Sequence, residues 1–274
     1  MVENRTQKKY ENLKEKIKDM KKVVVAFSGG VDSTFLLRVC IDVLGKDNVV
    51  AVTVKSPIRF EEDLESVRKL SKELDVKLVE VEVDELTDER FIKNDELRCY
   101  YCKLLDFTKI SEVAREMGFD IVLDGTNYDD VRNDYRPGIR ALKELKIKSP
   151  LREVELTKEE IRKLSKELGL PTWNRPPIGC CLATRFRYGL KINYEDLERL
   201  RKIEDYIKKL NLTLDRVRYH DRNTVRIEVL PEEMEVIMKR RKEIVDFIKK
   251  QGFKYVSLDL EGYRTGSMNE EIGG

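Results

Sequence analysis

The chain has 274 residues, enough for one large domain or two modest ones with ample apolar surface to bury. No apolar run approaches the ~18–20 residues that span a bilayer, and the opening residues are polar and charged, which points away from a membrane protein and toward the cytoplasm. Its 54 Lys and Arg against 52 Asp and Glu leave a net charge of +2, which argues against a large nucleic-acid footprint and leaves room only for local patches.

Tyr10, Leu13, Ile17 and Met20 recur at three- and four-residue spacing and predict an amphipathic helix. Strand-like apolar runs follow at 23–27, 49–54, 77–83 and 120–123, with helical patterns between them at 33–45, 61–74 and 103–117. Strands alternating with helices predict an α/β fold, a mainly parallel sheet with helices on both faces. Thr157 and Glu160 form a capping-box pattern that opens a helix running to Leu168, and Gly169 and Pro171 stop it. The stretch 171–190 is rich in Pro and Gly and lacks periodicity, so it reads as a structured loop and a domain boundary, giving domains 1–190 and 191–274. The second domain reads as a small α+β unit: a helix at 194–210, strands at 215–220 and 224–230, a helix opened by Pro231, and a strand at 254–260.

Six residues carry the most chemistry. Ser28-Gly29-Gly30-Val31-Asp32-Ser33 lies between the first strand and the first sheet-covering helix, at the strand end where ligands of parallel sheets bind. Glycines let backbone N–H groups approach an anion, and a helix start adds partial positive charge. The serine hydroxyls can donate to phosphate oxygens, and Asp32 can orient the turn or help hold a metal. An ordinary strand-to-helix turn is the competing reading, and two Gly, two Ser and one Asp in six positions weigh against it. Val31 stands where a Walker-type loop would need Lys, so γ-phosphate cleavage is disfavoured. The string resembles the signature of the PP-loop ATP pyrophosphatases (an adenine nucleotide α-hydrolase-like fold), which implies transfer of AMP to a substrate oxygen with release of pyrophosphate.

Five cysteines are present, at 40, 99, 102, 180 and 181. Cys40 falls on an apolar helix face and reads as a core residue. Cys99-Tyr100-Tyr101-Cys102 sits where a helix begins, and two thiols three positions apart can face one metal or cluster. Cys180-Cys181 lies in the 171–190 loop. Four ligands would suit structural zinc, whereas three thiolates suit an iron–sulfur cluster with one open iron, and a redox pair or cysteines that never meet are the alternatives.

The chain is similar to the LarE family of ATP-dependent sulfur transferases in several segments. They are Arg98-Cys99-Tyr100-Tyr101-Cys102-Lys103, Asp124-Gly125-Thr126-Asn127, Tyr135-Arg136-Pro137-Gly138 and Leu170-Pro171-Thr172-Trp173-Asn174. Cys181-Leu182-Ala183-Thr184-Arg185 with Tyr188-Gly189, and Leu258 to Arg264 with Gly266-Ser267-Met268-Asn269, complete the set. The resemblance implies that ATP adenylates a carboxylate of pyridinium-3,5-biscarboxylic acid mononucleotide and that sulfur then displaces AMP, on the way to a nickel-pincer nucleotide. One branch of the family sacrifices a single cysteine at the position of Cys181. The other holds a [4Fe-4S] cluster with three cysteines, and the C-x-x-C here matches that branch, with Cys99, Cys102 and Cys181 as ligands. Cys180, adjacent, leaves the third ligand open between two positions.

On this reading Ser28, Gly29, Gly30, Val31, Asp32 and Ser33 hold the pyrophosphate of ATP with Mg²⁺, and Thr53, Gly125 and Thr126 contact adenosine. Asp32, Cys181 and Arg185 are the expected catalytic residues, Arg185 by stabilising the adenylate's charge. Strand alternation puts Arg218, His220, Arg226 and Glu228 on one polar face, either the solvated side of an antiparallel sheet or a pocket. Arg226, Glu228 and Arg264 are the substrate-binding candidates. A sulfide or other sulfur donor and a homo-oligomer assembled through the second domain complete the expectation. The rival readings are a tRNA thiolase with a three-cysteine cluster, an ammonia-using adenylating ligase and a non-catalytic nucleotide sensor.

Overall fold

The computed structural model describes residues 2–132, 137–175, 181–264 and 266–270. By contacts the chain divides into two units, Met1–Asp84 with Cys99–Gly179, and Glu85–Arg98 with Cys180–Gly274. This division does not coincide with a cut at 190: residues 180–190 and the excursion 85–98 go with the second unit.

The first unit is built on a four-stranded parallel sheet in the order β3-β2-β1-β4. Its strands are β1 (Val23–Ala26), β2 (Val49–Lys55), β3 (Lys77–Glu82) and β4 (Val122–Leu123). Val23 pairs with Val49 and Val24 with Val122, so β1 lies between β2 and β4. A strand covered on both sides needs apolar residues at every position, which explains the continuous valine runs. Their side chains separate by alternation. Val23, Val25 and Ala51 join a core with Phe35, Leu36, Val39, Leu13, Ile17 and Ile161. Val24, Val50 and Val52 join another with Phe107, Ile110 and Leu142.

Helix Val31–Leu44 follows β1 directly; Gly30 is its N-cap in extended conformation, and Gly45, at φ 79°, ends it. Helix Glu61–Glu73 leads from β2 to β3, and helix Arg98–Glu116 precedes β4. The last begins at Arg98, five residues before the apolar pattern predicts, because its first turn is polar and carries the thiols. Helices Pro137–Glu144 and Pro150–Glu153 were not evident from periodicity. Helix Lys158–Glu167 has the predicted capping box, with Thr157 and Glu160 each accepting the other's backbone N–H.

The second unit holds a three-stranded sheet in the order β5-β6-β7. Here β5 (Asp215–Asp221) is antiparallel to β6 (Thr224–Val229), and β6 is parallel to β7 (Tyr255–Leu258). The sheet is therefore mixed and not purely antiparallel: helices Met234–Lys239 and Arg241–Lys250 form the crossover that a parallel pair requires. Helix Tyr194–Lys208 is capped by Asn193. Buried Asn94 ties the excursion into this unit, donating from Nδ2 to the carbonyls of Arg187 and Leu190 at 2.8 and 2.9 Å. Arg98 donates to Asn94 Oδ1 at 2.6 Å and to Ala183 O at 3.0 Å.

Candidate active site

The turn after β1 has the backbone an anion site needs. Gly29 is left-handed at φ 75°, a conformation glycine reaches without a Cβ penalty. Thr34 N–H donates to Gly30 O at 2.9 Å to start the helix, leaving the preceding amide groups at its N-terminus unpaired within it. Ser28 and Ser33 hydroxyls lie 3.1 Å apart, and Ser33 Oγ is 3.3 Å from Gly30 O. Gly125 packs against this helix start, and a Cβ there would sit 3.0 Å from Ser33 N and 3.2 Å from Ser33 Cα. Gly125 and the helix start at Ser33 are thus in close backbone contact, which a side chain at 125 would force apart by a few tenths of an ångström.

Asp32 points to Lys158, whose Nζ donates to Oδ2. Its Oδ1 is buried without a hydrogen-bond partner among the described residues. Burial pushes the Asp32 carboxyl pKa up, and the charge and hydrogen bond of Lys158 oppose that rise. Lys158 is itself placed by backbone: its N–H donates to Asp129 Oδ2 at 2.7 Å. Asn127 Oδ1 accepts from the N–H groups of Asp129 and Asp130 at 2.9 and 3.1 Å, which fixes that turn. Asp124 is buried and accepts from Ser149 Oγ at 2.5 Å and from the Thr126 hydroxyl. Thr126 therefore keeps only acceptor capacity for a ligand. Thr53 is buried within β2, in register with Glu80.

Sequence reasoning missed Lys158 and Arg175. A lysine at the first position of a helix faces the positive end of the macrodipole, so it needs a compensating carboxylate, and that anomaly would have singled it out. Arg175 follows Asn174 in a loop with no local signal; its Nη1 donates to Ser66 Oγ at 2.7 Å and lies 3.5 Å from Gly29 O.

Cys99 and Cys102 occupy the first turn of helix Arg98–Glu116, Cys99 exposed and Cys102 half-buried, with Cys102 Sγ 3.9 Å from Asp106 Oδ2. Gly138 closes on this turn, where a Cβ would sit 3.1 Å from Lys103 Cγ and 3.5 Å from Cys99 O. Tyr100 hydroxyl donates to Glu144 at 2.6 Å, fastening the same turn to helix Pro137–Glu144. Tyr135 and Arg136 of that motif, and Cys180, lie outside the described residues. Cys40 is fully buried and its thiol pKa is pushed up by burial, as befits a core residue.

Cys181 belongs to the second unit, where it caps the short turn Leu182–Arg185. Its carbonyl accepts from Thr184 Oγ1 at 2.7 Å and Thr184 N–H at 3.0 Å. Arg185 Nη1 donates to Thr184 Oγ1 at 2.9 Å, while Nε and Nη2 donate to Glu204 at 2.6 and 3.2 Å. Glu204 also accepts from Val217 N–H at 2.8 Å. The sequence reading gave Arg185 to the adenylate. In the structure its side chain is 1% exposed, and its guanidinium donates to Glu204 and Thr184 beside the Cys181 turn.

Of the second unit's polar face, Glu228 is fully buried, so this is not a solvated strand side. Arg218 Nε donates to Glu228 Oε2 at 2.8 Å and Arg226 Nη2 to Oε1 at 2.7 Å. Arg226 Nε lies 3.2 Å from Asp259 Oδ2, and its side chain remains 27% exposed. Arg264 pairs with Glu261 at 2.8 Å and with Glu270, both on its own segment. The three substrate candidates therefore fall into two ion-pair groups.

A parallel α/β sheet whose first strand runs through a left-handed glycine into a helix N-terminus, with an acidic residue beside it, is a nucleotide-phosphate site of the kind a PP-loop enzyme uses. The NAD synthase family model matches residues 5–98, the span that contains this turn. The chain is 34% identical to pyridinium-3,5-bisthiocarboxylic acid mononucleotide synthase of Lactiplantibacillus plantarum, over 93% of this chain and 92% of that one. It is 39% identical to an uncharacterized protein of Synechocystis sp., over 96% of this chain and 98% of the other. An uncharacterized protein of Methanocaldococcus jannaschii is 33% identical, over 93% and 95%. The chain belongs to the LarE family and is an ATP-dependent adenylating sulfurtransferase. No helix among the described residues is long and apolar enough to cross a membrane.

Proposed function

We propose that this enzyme adenylates a carboxylate of pyridinium-3,5-biscarboxylic acid mononucleotide and replaces the AMP with sulfur. The 34% identity to a synthase of that product, over nearly its whole length, carries the substrate assignment. In the first step a carboxylate oxygen attacks the α-phosphorus of ATP and pyrophosphate leaves. In the second a sulfur nucleophile adds to the adenylated carbonyl carbon, and AMP departs with the electron pair of the carbon–oxygen bond. A second round on the other carboxylate gives the bisthiocarboxylate.

The amides and hydroxyls of Ser28, Gly29, Gly30, Val31 and Ser33 hold the pyrophosphate, in keeping with a left-handed Gly29 at a helix start. Asp32 helps hold Mg²⁺; its unpartnered buried Oδ1 is the hard oxygen donor such an ion takes. Gly125, Thr126 and Thr53 form the adenosine side. Arg226, Glu228 and Arg264 of the second unit orient the substrate's phosphate, Arg226 through its exposed part.

Cys99, Cys102 and Cys181 are the three soft donors that fit a [4Fe-4S] cluster with one open iron. Cys99 and Cys102 are three apart on one helical turn, with neither buried, which supports their sharing a ligand. When bound, the cluster supplies a site for transferable sulfide. Cys181 is held for this role by Thr184, Arg185 and Glu204. The enzyme works in the cytoplasm with sulfide or another sulfur donor, as a homo-oligomer assembled through the second unit.

Anaerobically purified enzyme with ATP and Mg²⁺ should release pyrophosphate on addition of the pyridinium dicarboxylate nucleotide and not with tRNA or ammonium. It should contain about four iron and four labile sulfide per chain. Cys99→Ala should lose iron and thiolation while adenylation survives, whereas Asp32→Ala should keep its iron and lose adenylation, and thiolation with it. Pyrophosphate release driven by tRNA or ammonium would replace the substrate assignment, and iron-free enzyme with full turnover would remove the cluster.

A further inference from the structure

The Trp173–Arg175 turn brings a cation onto the glycine turn after β1 from outside any motif. Arg162 fixes its backbone, donating from Nη1 to Trp173 O at 2.7 Å and from Nη2 to Arg175 O at 2.9 Å. Arg175 Nη1 then donates to Ser66 Oγ at 2.7 Å and rests 3.5 Å from Gly29 O. Both partners are neutral. Of the other cations of this unit, Lys158 has Asp32, Arg59 has Asp106, and Arg68 has Glu61 and Glu80, while Arg162 is engaged by two backbone carbonyls. Arg175 has none among the described residues, although it is half-buried, where an unbalanced charge is costly.

An uncompensated guanidinium beside an anion-binding turn is completed by the anion. Its forked donors suit phosphate oxygens, and in a trans peptide the Gly30 N–H points away from the Gly29 carbonyl that Arg175 approaches. The same contact that brings the cation close thus favours an amide presented to the ligand.

We propose that Arg175 is a binding residue for the β- and γ-phosphates of ATP, so that it distinguishes ATP and pyrophosphate from AMP. This rests on the adenylating reading of the turn and is independent of which carboxylate is adenylated. Arg162 is a positioning residue that presents it. Holding ATP and the leaving pyrophosphate while releasing AMP suits an enzyme that must return to ATP for a second carboxylate.

The test is the affinity of full-length wild-type, Arg175→Gln and Arg175→Lys protein for ATP, AMP and inorganic pyrophosphate, measured by calorimetry with Mg²⁺, with thermal unfolding run alongside. Arg175→Gln should weaken ATP and pyrophosphate at least tenfold and AMP less than twofold. Arg175→Lys should recover part of the loss, since it restores the charge without the fork. Equal losses for ATP and AMP, or no loss for either, would overturn the proposal. Because no pyridinium substrate is present, a chain that fails to adenylate that nucleotide yet keeps the ATP–AMP contrast would retain Arg175's role and lose only the substrate assignment.

Discussion

Two carboxylates illustrate how burial sets the behaviour of single residues. Asp32 is raised by burial and restrained by Lys158, and the ionised form is the one that serves a cation. Pyrophosphate release should therefore fall as the pH drops through the Asp32 pKa. Lys158→Met removes the restraint and should move the acid limb of the kcat/KM profile to higher pH; an unmoved limb would separate Lys158 from Asp32's titration. Asp215, in the second unit, is pushed up to about 6 from 3.8 by burial and then by the charge of Glu204. A raised carboxyl favours the protonated fold, so this contribution is complete below the unfolded value and is lost as pH rises through about 6. Asp215→Asn should stabilise the second unit at pH 8 by up to about 3 kcal/mol and give no gain near pH 4. Urea unfolding across that range measures it, and a pH-independent effect would contradict the linkage.

At the scale of elements, the helix starts matter most. The capping box at Thr157 sets the N-terminus of helix Lys158–Glu167 and so the position of Lys158. Lys9 adds a 2.7 Å ion pair to Glu160 from helix Val2–Lys18, and donates to Glu155 O at the same distance. Thr157→Ala should cost about 1 kcal/mol of stability and Thr157→Ser much less, read from the unfolding midpoint. The box was legible in the sequence because both its members lie within four residues. So were β1 and β2, whose short β-branched runs between turn signals favour buried strands, and the glycine turn, whose residue types are local. Pairings across the chain were not. Lys158 and Asp32 are 126 residues apart and Arg175 and Gly29 are 146 apart, and no periodicity encodes either. The pairing of Arg185 with Glu204 was hidden for the same reason: Glu204 lies on a helix whose polar positions read as solvated. Helix Pro137–Glu144 was hidden because Pro137 reads locally as a turn, although proline suits a first helical turn.

At the scale of the molecule, the second unit is assembled from two separate stretches. A fragment covering 191–274 would retain the three-stranded sheet but lose Arg185, leaving Glu204 buried without its counter-charge. It would also lose the bridge of Phe186 to Tyr219 and their stacked rings, 4.6 Å apart at the centroids. Removing one member of a buried pair costs about 3–5 kcal/mol, a large part of a small unit's stability. The fragment should therefore give poorly dispersed amide resonances and no cooperative melt. A well-folded 191–274 would show that residues 85–98 and 180–190 are accessory.

That interleaving also sets an order of events during synthesis. Residues 85–98 leave the ribosome long before the carbonyls of Ala183, Arg187 and Leu190 that Arg98 and Asn94 bind in the finished unit. At about 5–20 residues per second, residues 180–274 take on the order of 5–20 s to emerge. Throughout that interval the first unit has its residues in hand, while Leu86 and Phe91, both buried in the native chain, wait without the core that covers them. The nascent enzyme thus passes through a stage that displays an apolar loop from an otherwise completed nucleotide fold, and this is the stage at which a chaperone would be of use to it.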